Sequence, residues 1–326
     1  MSTNIIETPK VLFSGKILQW EVVNKDGSID KACYNPSSNM ILDCGLDMIG
    51  NPGLYDWVGT FRGLSYFAIG TGTDLPVTTD TILGNESYRN TCGYAAYDGS
   101  DASVTGSDPF YHNWYRGVQT PLGALNGTYT EIGFSNSGTL NDPLFSKFRI
   151  VDEEGTPTSI PVSNEQQLRL RYVLSMQIYP VVPLAYTTTI TGIGTVGYTA
   201  CFQGSATLFQ ILGLFSPIND NLSPRAALCN TPTFSFRPYQ TLYYYYELGS
   251  WADSTSKLVE SYVLGSYELY RSFKWDVTVA NWSSLLLIYY IPVAYGYWIA
   301  KFDTPITKFN THSLNLRLKI SWGRVS

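Results

Sequence analysis

Few residues in this chain have the type and spacing that catalysis or metal binding requires. The 326 residues include two histidines, His112 and His312. A Ser-His-Asp triad or a histidine-rich metal site needs a histidine beside suitable partners, and neither histidine has ligand-like spacing around it. We interpret both as surface or turn residues. The sequence therefore predicts no metal site.

Acidic residues are the next group that could do chemistry. The densest run is Asp152-Glu153-Glu154-Gly155. A glycosidase holds two carboxyl groups roughly 5–10 Å apart across a cleft, whereas this run has the composition of a solvated hairpin turn. Glu131 differs, because it stands in an otherwise apolar strand. An unpaired buried carboxylate is costly, so we expect Glu131 to pair with a basic residue such as Arg116 or to hydrogen-bond a turn.

The segment Gly70-Thr71-Gly72-Thr73 has some likeness to a phosphate-binding loop. It lacks the Gly-Lys-Ser/Thr that completes such a loop, and it lacks the strand-loop-helix context. We interpret it as a plain turn. Because no catalytic, cofactor-binding or metal-binding constellation is present in the sequence, we expect neither an enzyme nor a bound cofactor.

Composition predicts an all-β protein. Apolar residues make up 44% of the chain and charged residues only 14%, against roughly 25% charged residues in an ordinary soluble domain. The 28 glycines and 17 prolines are typical of many short strands joined by turns. The 25 tyrosines suit half-buried strand surfaces and protein interfaces. The net charge is −5 without a basic block, so no nucleic-acid partner is expected.

Residues 277–300 are apolar and long enough to span a bilayer as a helix. They also contain Pro292 and Gly296 and are rich in Tyr, Val and Ile. These features favour two buried strands that turn near Ile291-Pro292. We therefore expect no membrane partner.

The cysteines and the N-terminus predict the compartment. Residues 1–7 lack the basic and apolar regions of a secretory signal. The five cysteines lie far apart, are odd in number and include no C-x-x-C pair. We predict reduced, mostly buried thiols in a protein that is made in a cytoplasm.

One strand pattern occurs twice. Residues 168–176 and 314–322 alternate apolar and outward positions with a period of two, which is typical of a strand with one face in a core. Upstream, Tyr115-Arg116 precedes the first copy and Tyr270-Arg271 precedes the second. Two related β-units that build surfaces and contacts explain this repeat. The alternative is chance convergence of β patterning.

The repeat predicts two related β-sandwich-like domains with a short N-terminal helix and a central neutral β-arm. Residues 1–178 form the N-terminal β domain, with a first strand at 11–23 and the helix at 39–50. Residues 179–201 form the connecting arm, and residues 202–326 form the C-terminal β-sandwich-like unit. In the helix, Leu42, Leu46 and Ile49 share one face.

The arm is the predicted subunit interface. No charged residue lies between Arg171 and Asp220, and obligate contacts lose charged residues at their centre. The tyrosine run 243–246 would alternate faces on a strand, so that two rings point outward to another subunit or to sugars. The candidate interface residues are Tyr186, Ile190, Ile193, Val196, Tyr198, Tyr243 and Tyr245.

Several segments resemble elements of tailed-bacteriophage tail, fibre and baseplate proteins. Residues 39–50 are similar to their "NLIT..GLD" element, although Ile41-Leu42-Asp43-Cys44 departs from it. The other similar elements are 67–83 ("GTGT..P..TDT.L"), 128–134 ("tYtEiGf"), 144–148 ("LFSr"), 302–308 ("f.tPI.K") and 321–324 ("sWgR"). The resemblance covers both ends and much of the first half, and not the middle, roughly 179–270.

This resemblance implies a structural protein of a phage virion. We expect a symmetric homo-oligomer that contacts other phage tail proteins, located in the virion and made in the host cytoplasm. One alternative is a receptor-binding protein whose loops, such as 98–109, grip a host surface glycan. A second alternative is a fibre enzyme that degrades polysaccharide.

Overall fold

The computed structural model describes residues 4–36, 38–50, 63–102, 110–179, 183–204, 225–230, 250–290 and 296–325. Within these ranges the protein is all-β with one short helix, α1 (Asp43–Ile49), as the composition predicts. The strands in chain order are β1 (Ile5–Asn24), β2 (Ile29–Tyr34), β3 (Ser38–Ile41), β4 (Tyr66–Gly70), β5 (Glu86–Thr91), β6 (Gly99–Ala102), β7 (Phe110–Gln119), β8 (Gly127–Tyr129), β9 (Glu131–Ser135), β10 (Ser146–Arg149), β11 (Ile160–Val162), β12 (Gln166–Tyr179), β13 (Leu184–Ile190), β14 (Gly194–Gly204), β15 (Arg225–Asn230), β16 (Ser250–Asp253), β17 (Ser256–Val259), β18 (Glu268–Trp275), β19 (Ser283–Tyr290), β20 (Gly296–Thr307) and β21 (Leu314–Arg324).

The described strands form two main sheets and one small pair. The larger sheet runs β17-β18-β21-β1-β3-β10-β9-β4-β5, and β12, β7, β6 and β2 branch from it. The second sheet runs β13-β14-β20-β19-β15-β16, and β8 pairs with β11. Strands β19 and β20 are antiparallel neighbours, which confirms two strands in the apolar segment 277–300. No helix in the described part of the chain is long and apolar enough to cross a membrane.

Strand β1 is the centre of the larger sheet. Its residues 10–24 pair antiparallel with β12, and its residues 5–13 pair parallel with β21 on the other edge. Farther along β1, the edge that pairs with β21 pairs next with β3 and then with β2. Alternate side chains of β1, among them Val11, Phe13 and Ile17, are buried, as a period of two requires. β1 begins earlier than the predicted 11–23, because its first residues pair with β21.

The two copies of the repeated strand lie on opposite sides of β1 in equivalent surroundings. β12 pairs with β7 so that Tyr172 faces Arg116, and β21 pairs with β18 so that Leu318 faces Arg271. These are the positions that the sequence repeat equates. Because β12 is antiparallel to β1 and β21 is parallel to it, the copies run in opposite directions, as a two-fold rotation would place them.

A matching contact between a cation and an aromatic ring occurs in each copy. The Arg171 guanidinium lies 4.3 Å from the Tyr115 ring centroid, and the Arg317 guanidinium lies 3.9 Å from that of Tyr270. Such contacts contribute about 0.5–1 kcal/mol at exposed sites. The shared register and the shared contact are what two related β-units would give.

The predicted division into two domains is not confirmed. The larger sheet contains β1 and β12 from residues 1–178 together with β17, β18 and β21 from residues 202–326. Hydrogen bonds between β1 and β21 therefore cross the predicted boundary. The two copies of the repeated strand lie beside β1 in one sheet. That each copy belongs to a separate β-sandwich stays a prediction.

The helix is shorter than predicted. Residues 38–41 form β3, which pairs with β1 and β10, so α1 begins only at Asp43. Leu46 and Ile49 are buried as expected, and Gly50 ends the helix. Of the loop 98–109, residues 99–102 form β6 against β7, and residues 103–109 lie outside the described ranges.

Candidate functional site

The two histidines have different environments. His112 lies in β7 opposite Met176 and is 1% exposed, so the prediction of a surface or turn position is wrong for it. The His112 side of β7 is buried, and a local sequence pattern does not show which side of a strand is buried. His312 lies in an exposed turn, as predicted. No cluster of three His, Cys, Asp or Glu side chains that could hold a metal ion occurs in the described ranges.

The acidic run forms a solvated turn. The Asp152 carboxylate accepts hydrogen bonds from the backbone N–H groups of Glu154 at 3.1 Å and Thr156 at 2.7 Å. Gly155 has φ +82°, a conformation that favours glycine. The exposed carboxylates stand side by side on one hairpin tip, which confirms the turn interpretation.

Glu131 is a buried acid that accepts three backbone hydrogen bonds. Its carboxylate is 1% exposed. Its Oε1 accepts the backbone N–H of Gly72 at 2.8 Å and of Asn85 at 2.9 Å, and its Oε2 accepts that of Gly84 at 2.9 Å. Glu131 thus ties both ends of the loop 71–85 to β9. Its hydrogen bonds to a turn confirm one of the two predicted alternatives.

The basic partner of Glu131 is a different residue from the one we predicted. Lys147, 3% exposed in β10, places its Nζ 3.0 Å from Asp80 Oδ2 and 3.7 Å from Glu131 Oε2. Arg116 instead lies 3.6 Å from Asp98. We call Glu131, Lys147 and Asp80 the loop junction. It links three segments with resemblance to tail proteins, 67–83, 128–134 and 144–148.

Gly72 is required by the loop junction. A Cβ atom at this position would lie 2.4 Å from Glu131 Oε1, well inside the van der Waals distance. The glycine therefore allows the backbone to approach the carboxylate closely enough for its N–H to bond. Gly70 ends β4 and residues 71–73 begin the irregular loop 71–85, so the predicted turn is the start of a longer loop.

A second junction joins α1 to the end of the chain. The Arg324 guanidinium forms an ion pair with Asp43, and Trp322 Nε1 donates to the Leu46 carbonyl oxygen at 2.8 Å. Asp47 accepts the Tyr262 hydroxyl at 2.6 Å and the Gly265 N–H at 2.7 Å. We call these contacts the helix junction. It brings the segments 39–50 and 321–324 together, and Asp47 also fixes the loop 261–267.

The electrostatics of the helix junction follow from burial. Desolvation, and then the hydrogen bond to Asp47, raise the pKa of Tyr262 above its ordinary value, so the phenol stays protonated and donates.

A Cβ atom on Gly45 would lie 2.0 Å from the Phe145 carbonyl oxygen. Gly45 therefore lets α1 pack against the backbone that precedes β10.

The predicted arm is a β-hairpin. β13 and β14 pair from Leu184↔Ala200 to Ile190↔Gly194. Residues 198–204 of β14 also pair with β20, from Tyr198↔Phe302 to Gly204↔Gly296. The hairpin is therefore part of the second sheet and does not project as a separate arm.

The candidate interface residues differ in their accessibility. Ile190 and Tyr198 are each 1% exposed, and Tyr198 accepts the Glu7 backbone N–H at 3.0 Å. A partner could not reach these two side chains without opening this chain. Tyr186, Ile193 and Val196 are half-buried, and Tyr243 and Tyr245 lie outside the described residues. The interface itself stays a prediction.

Sequence reasoning missed the exposed aliphatic side chains on the two fixed loops, which include Ile82, 40% exposed, and the four that follow. Leu75 is 67% exposed and Val77 is 53% exposed on the loop 71–85. Val263 is 68% exposed and Leu264 is 77% exposed on the loop 261–267. A pair of large apolar residues next to Gly265 and Ser266 was the available signal, because turns seldom need aliphatic residues.

No protein-family model matches the chain, and the searches of curated proteins and of solved structures also find no match.

Proposed function

We propose that this protein is a structural component of a tailed-phage virion, in the tail, fibre or baseplate, and that it acts by forming a symmetric homo-oligomer and contacting other virion proteins. The observation that carries the proposal is the position of the segments that resemble tail proteins. Five of the six lie in the loop junction or the helix junction, where they fix loops.

The fixed loops support assembly as the mechanism. Glu131 holds the loop that carries Leu75 and Val77, and Asp47 holds the loop that carries Val263 and Leu264. Loops that are already ordered lose less conformational entropy on association. Burying their aliphatic side chains against a partner contributes about 25 cal/mol per Å² before the costs of association.

The carboxylates support a structural role over a polysaccharide-degrading one. Glu131 is occupied by three backbone N–H groups and faces Lys147. Asp152 bonds its own turn. Both carboxylates are therefore occupied by contacts within the chain, whereas glycoside hydrolysis needs two carboxyl groups that are open to the sugar.

The first test measures self-association of the full chain by size-exclusion chromatography with light scattering. We expect the wild type to form a discrete oligomer and Leu264→Asp to lower its mass. The matched control is Leu122→Asp, which makes the same change at a residue 42% exposed outside the two fixed loops. A strictly monomeric wild type, or equal effects of both substitutions, would contradict assembly through these loops.

The second test asks where the protein is located. We expect mass spectrometry of purified phage particles to detect the chain at a fixed stoichiometry to the other tail proteins. Absence of the chain from purified particles would contradict the virion assignment even if the isolated chain self-associates.

A further inference from the structure

A groove of about 610 Å³ lies where the edge of β1 passes from β21 to β3. β1 and β3 contribute Gly15 and Met40, the loop 71–85 contributes Leu75, and the turn after β10 contributes Pro157. This volume falls within the roughly 300–1,000 Å³ of small-molecule sites. The groove is lined mainly by apolar groups, with two arginines, Arg149 and Arg324, on its wall.

Among the described residues that line the groove, Arg149 is the cation without an acidic partner. Arg324 forms an ion pair with Asp43. Arg149 donates to the Thr130 carbonyl oxygen, and no carboxylate of the described residues lies within ion-pair distance of it. None of the groove-lining residues is acidic. A partly buried guanidinium without a counter-charge is costly, and an anion in the groove would remove that cost.

Two buried polar atoms at the groove also lack partners. Arg149 Nε has no hydrogen-bond acceptor. Asn39 is 5% exposed, and while its Nδ2 donates to Ser146 Oγ at 3.0 Å, its Oδ1 has no donor. If the amide were turned over, its Nδ2 would be the unpartnered atom instead. A hydroxyl group of a ligand can bond the unpartnered Asn39 atom in either orientation of the amide, because a hydroxyl group both donates and accepts.

We propose that this groove binds a small monoanionic hydroxy-carboxylate. The carboxylate pairs with Arg149, whose planar guanidinium suits two-point recognition. A hydroxyl group of the ligand bonds the Asn39 amide, and the carbon skeleton lies against Leu75 and Pro157. A single positive charge is neutralised by a carboxylate, whereas a phosphate dianion would leave excess negative charge. Both unpartnered atoms are buried, so binding requires each side chain to rotate toward the groove.

The probe is glucuronate, and the neutral control is glucose, which lacks the carboxylate. Isothermal titration calorimetry on the full chain is expected to show glucuronate binding at least about tenfold tighter than glucose, as loss of one charge-assisted hydrogen bond implies. Failure of glucuronate to bind, or equal binding of the two sugars, overturns the proposal.

Variants separate the groove from the rest of the surface. Arg149→Gln is expected to weaken glucuronate binding at least about tenfold, and Arg169→Gln, on β12 outside the groove, to leave it unchanged. Val325→Asp places a negative charge on the groove wall at a half-buried residue outside the two fixed loops, so it tests the site even if Arg149→Gln fails to fold. It is expected to weaken binding by a similar factor.

Two results contradict this assignment. If glucuronate binds Arg149→Gln and Val325→Asp as it binds the wild type, the ligand lies elsewhere. If glucuronate does not bind and Arg149→Gln instead lowers the mass of the oligomer, the carboxylate comes from a neighbouring subunit and the small-molecule site is wrong.

Discussion

Replacement of Glu131 by glutamine is the sharpest test of the loop junction. The substitution keeps the size of the side chain but removes its charge. In the best orientation, Oε1 still accepts the N–H groups of Gly72 and Asn85, while the new amide nitrogen faces the N–H of Gly84. One buried hydrogen bond is therefore replaced by two donors that face each other, and Lys147 loses one of its two nearby carboxylates.

The expected cost follows from these contacts. An unsatisfied buried donor costs about 1–3 kcal/mol, and the two remaining hydrogen bonds lose about half of their strength when the acceptor becomes neutral. With the lost attraction to Lys147, the free energy of unfolding should fall by about 3–5 kcal/mol, the usual cost of breaking a buried ion pair. For a chain of this size, the melting temperature should fall by roughly 4–7 °C.

Two measurements check this expectation. Thermal unfolding followed by circular dichroism gives the melting temperature, and hydrogen exchange followed by mass spectrometry should show faster exchange in the loop 71–85. The control is Glu165→Gln, the same substitution at an exposed turn residue, which should change neither quantity. If Glu131→Gln melts with the wild type and its loop exchanges no faster, the carboxylate does not hold the loop.

Three further outcomes are expected. Gly45→Ala should lower stability strongly in a thermal melt, because its Cβ would lie 2.0 Å from a backbone carbonyl oxygen, whereas Gly99→Ala, with open space around it, should melt within a degree or two of the wild type. The hydrogen bond from Arg317 lowers the pKa of Glu260 below 4.5. Glu260→Gln should therefore reduce stability to urea at neutral pH, and its difference from the wild type should shrink as the pH falls below about 4.5; a difference that persists in acid contradicts this. Burial raises the pKa of the Cys44 thiol to about 11, so a thiol reagent at about pH 8 should modify the native protein slowly and titrate all five cysteines after unfolding.

Local pattern was enough for the fold class and for several chemical features. Alternation with a period of two, frequent glycine and proline and low charge predict an all-β chain, because successive side chains of a strand point to opposite faces of its sheet. The repeat of 168–176 at 314–322 was visible for the same reason. The cysteines are free thiols, as their number and spacing predict, and the acidic run 152–155 is an exposed turn.

Tertiary structure decided which distant residues meet. Glu131 could be recognised as an acid that needs a partner, but Lys147 rather than Arg116 became that partner because β9 and β10 are neighbours in the sheet. Likewise, the burial of His112 depends on where β7 lies. Strand order and register are set by the packing of the whole core, so residues far apart in sequence cannot be paired from local patterns.

The division of the chain is the clearest case. The sequence repeat alone favours two separate units, yet both copies lie beside β1, which pairs with β12 on one edge and β21 on the other. A strand satisfies the hydrogen-bonding groups of both its edges with whichever strands the fold brings there. The amino-acid sequence by itself therefore determined the strands and their duplication, and the tertiary structure decided that the duplicated strands share one sheet.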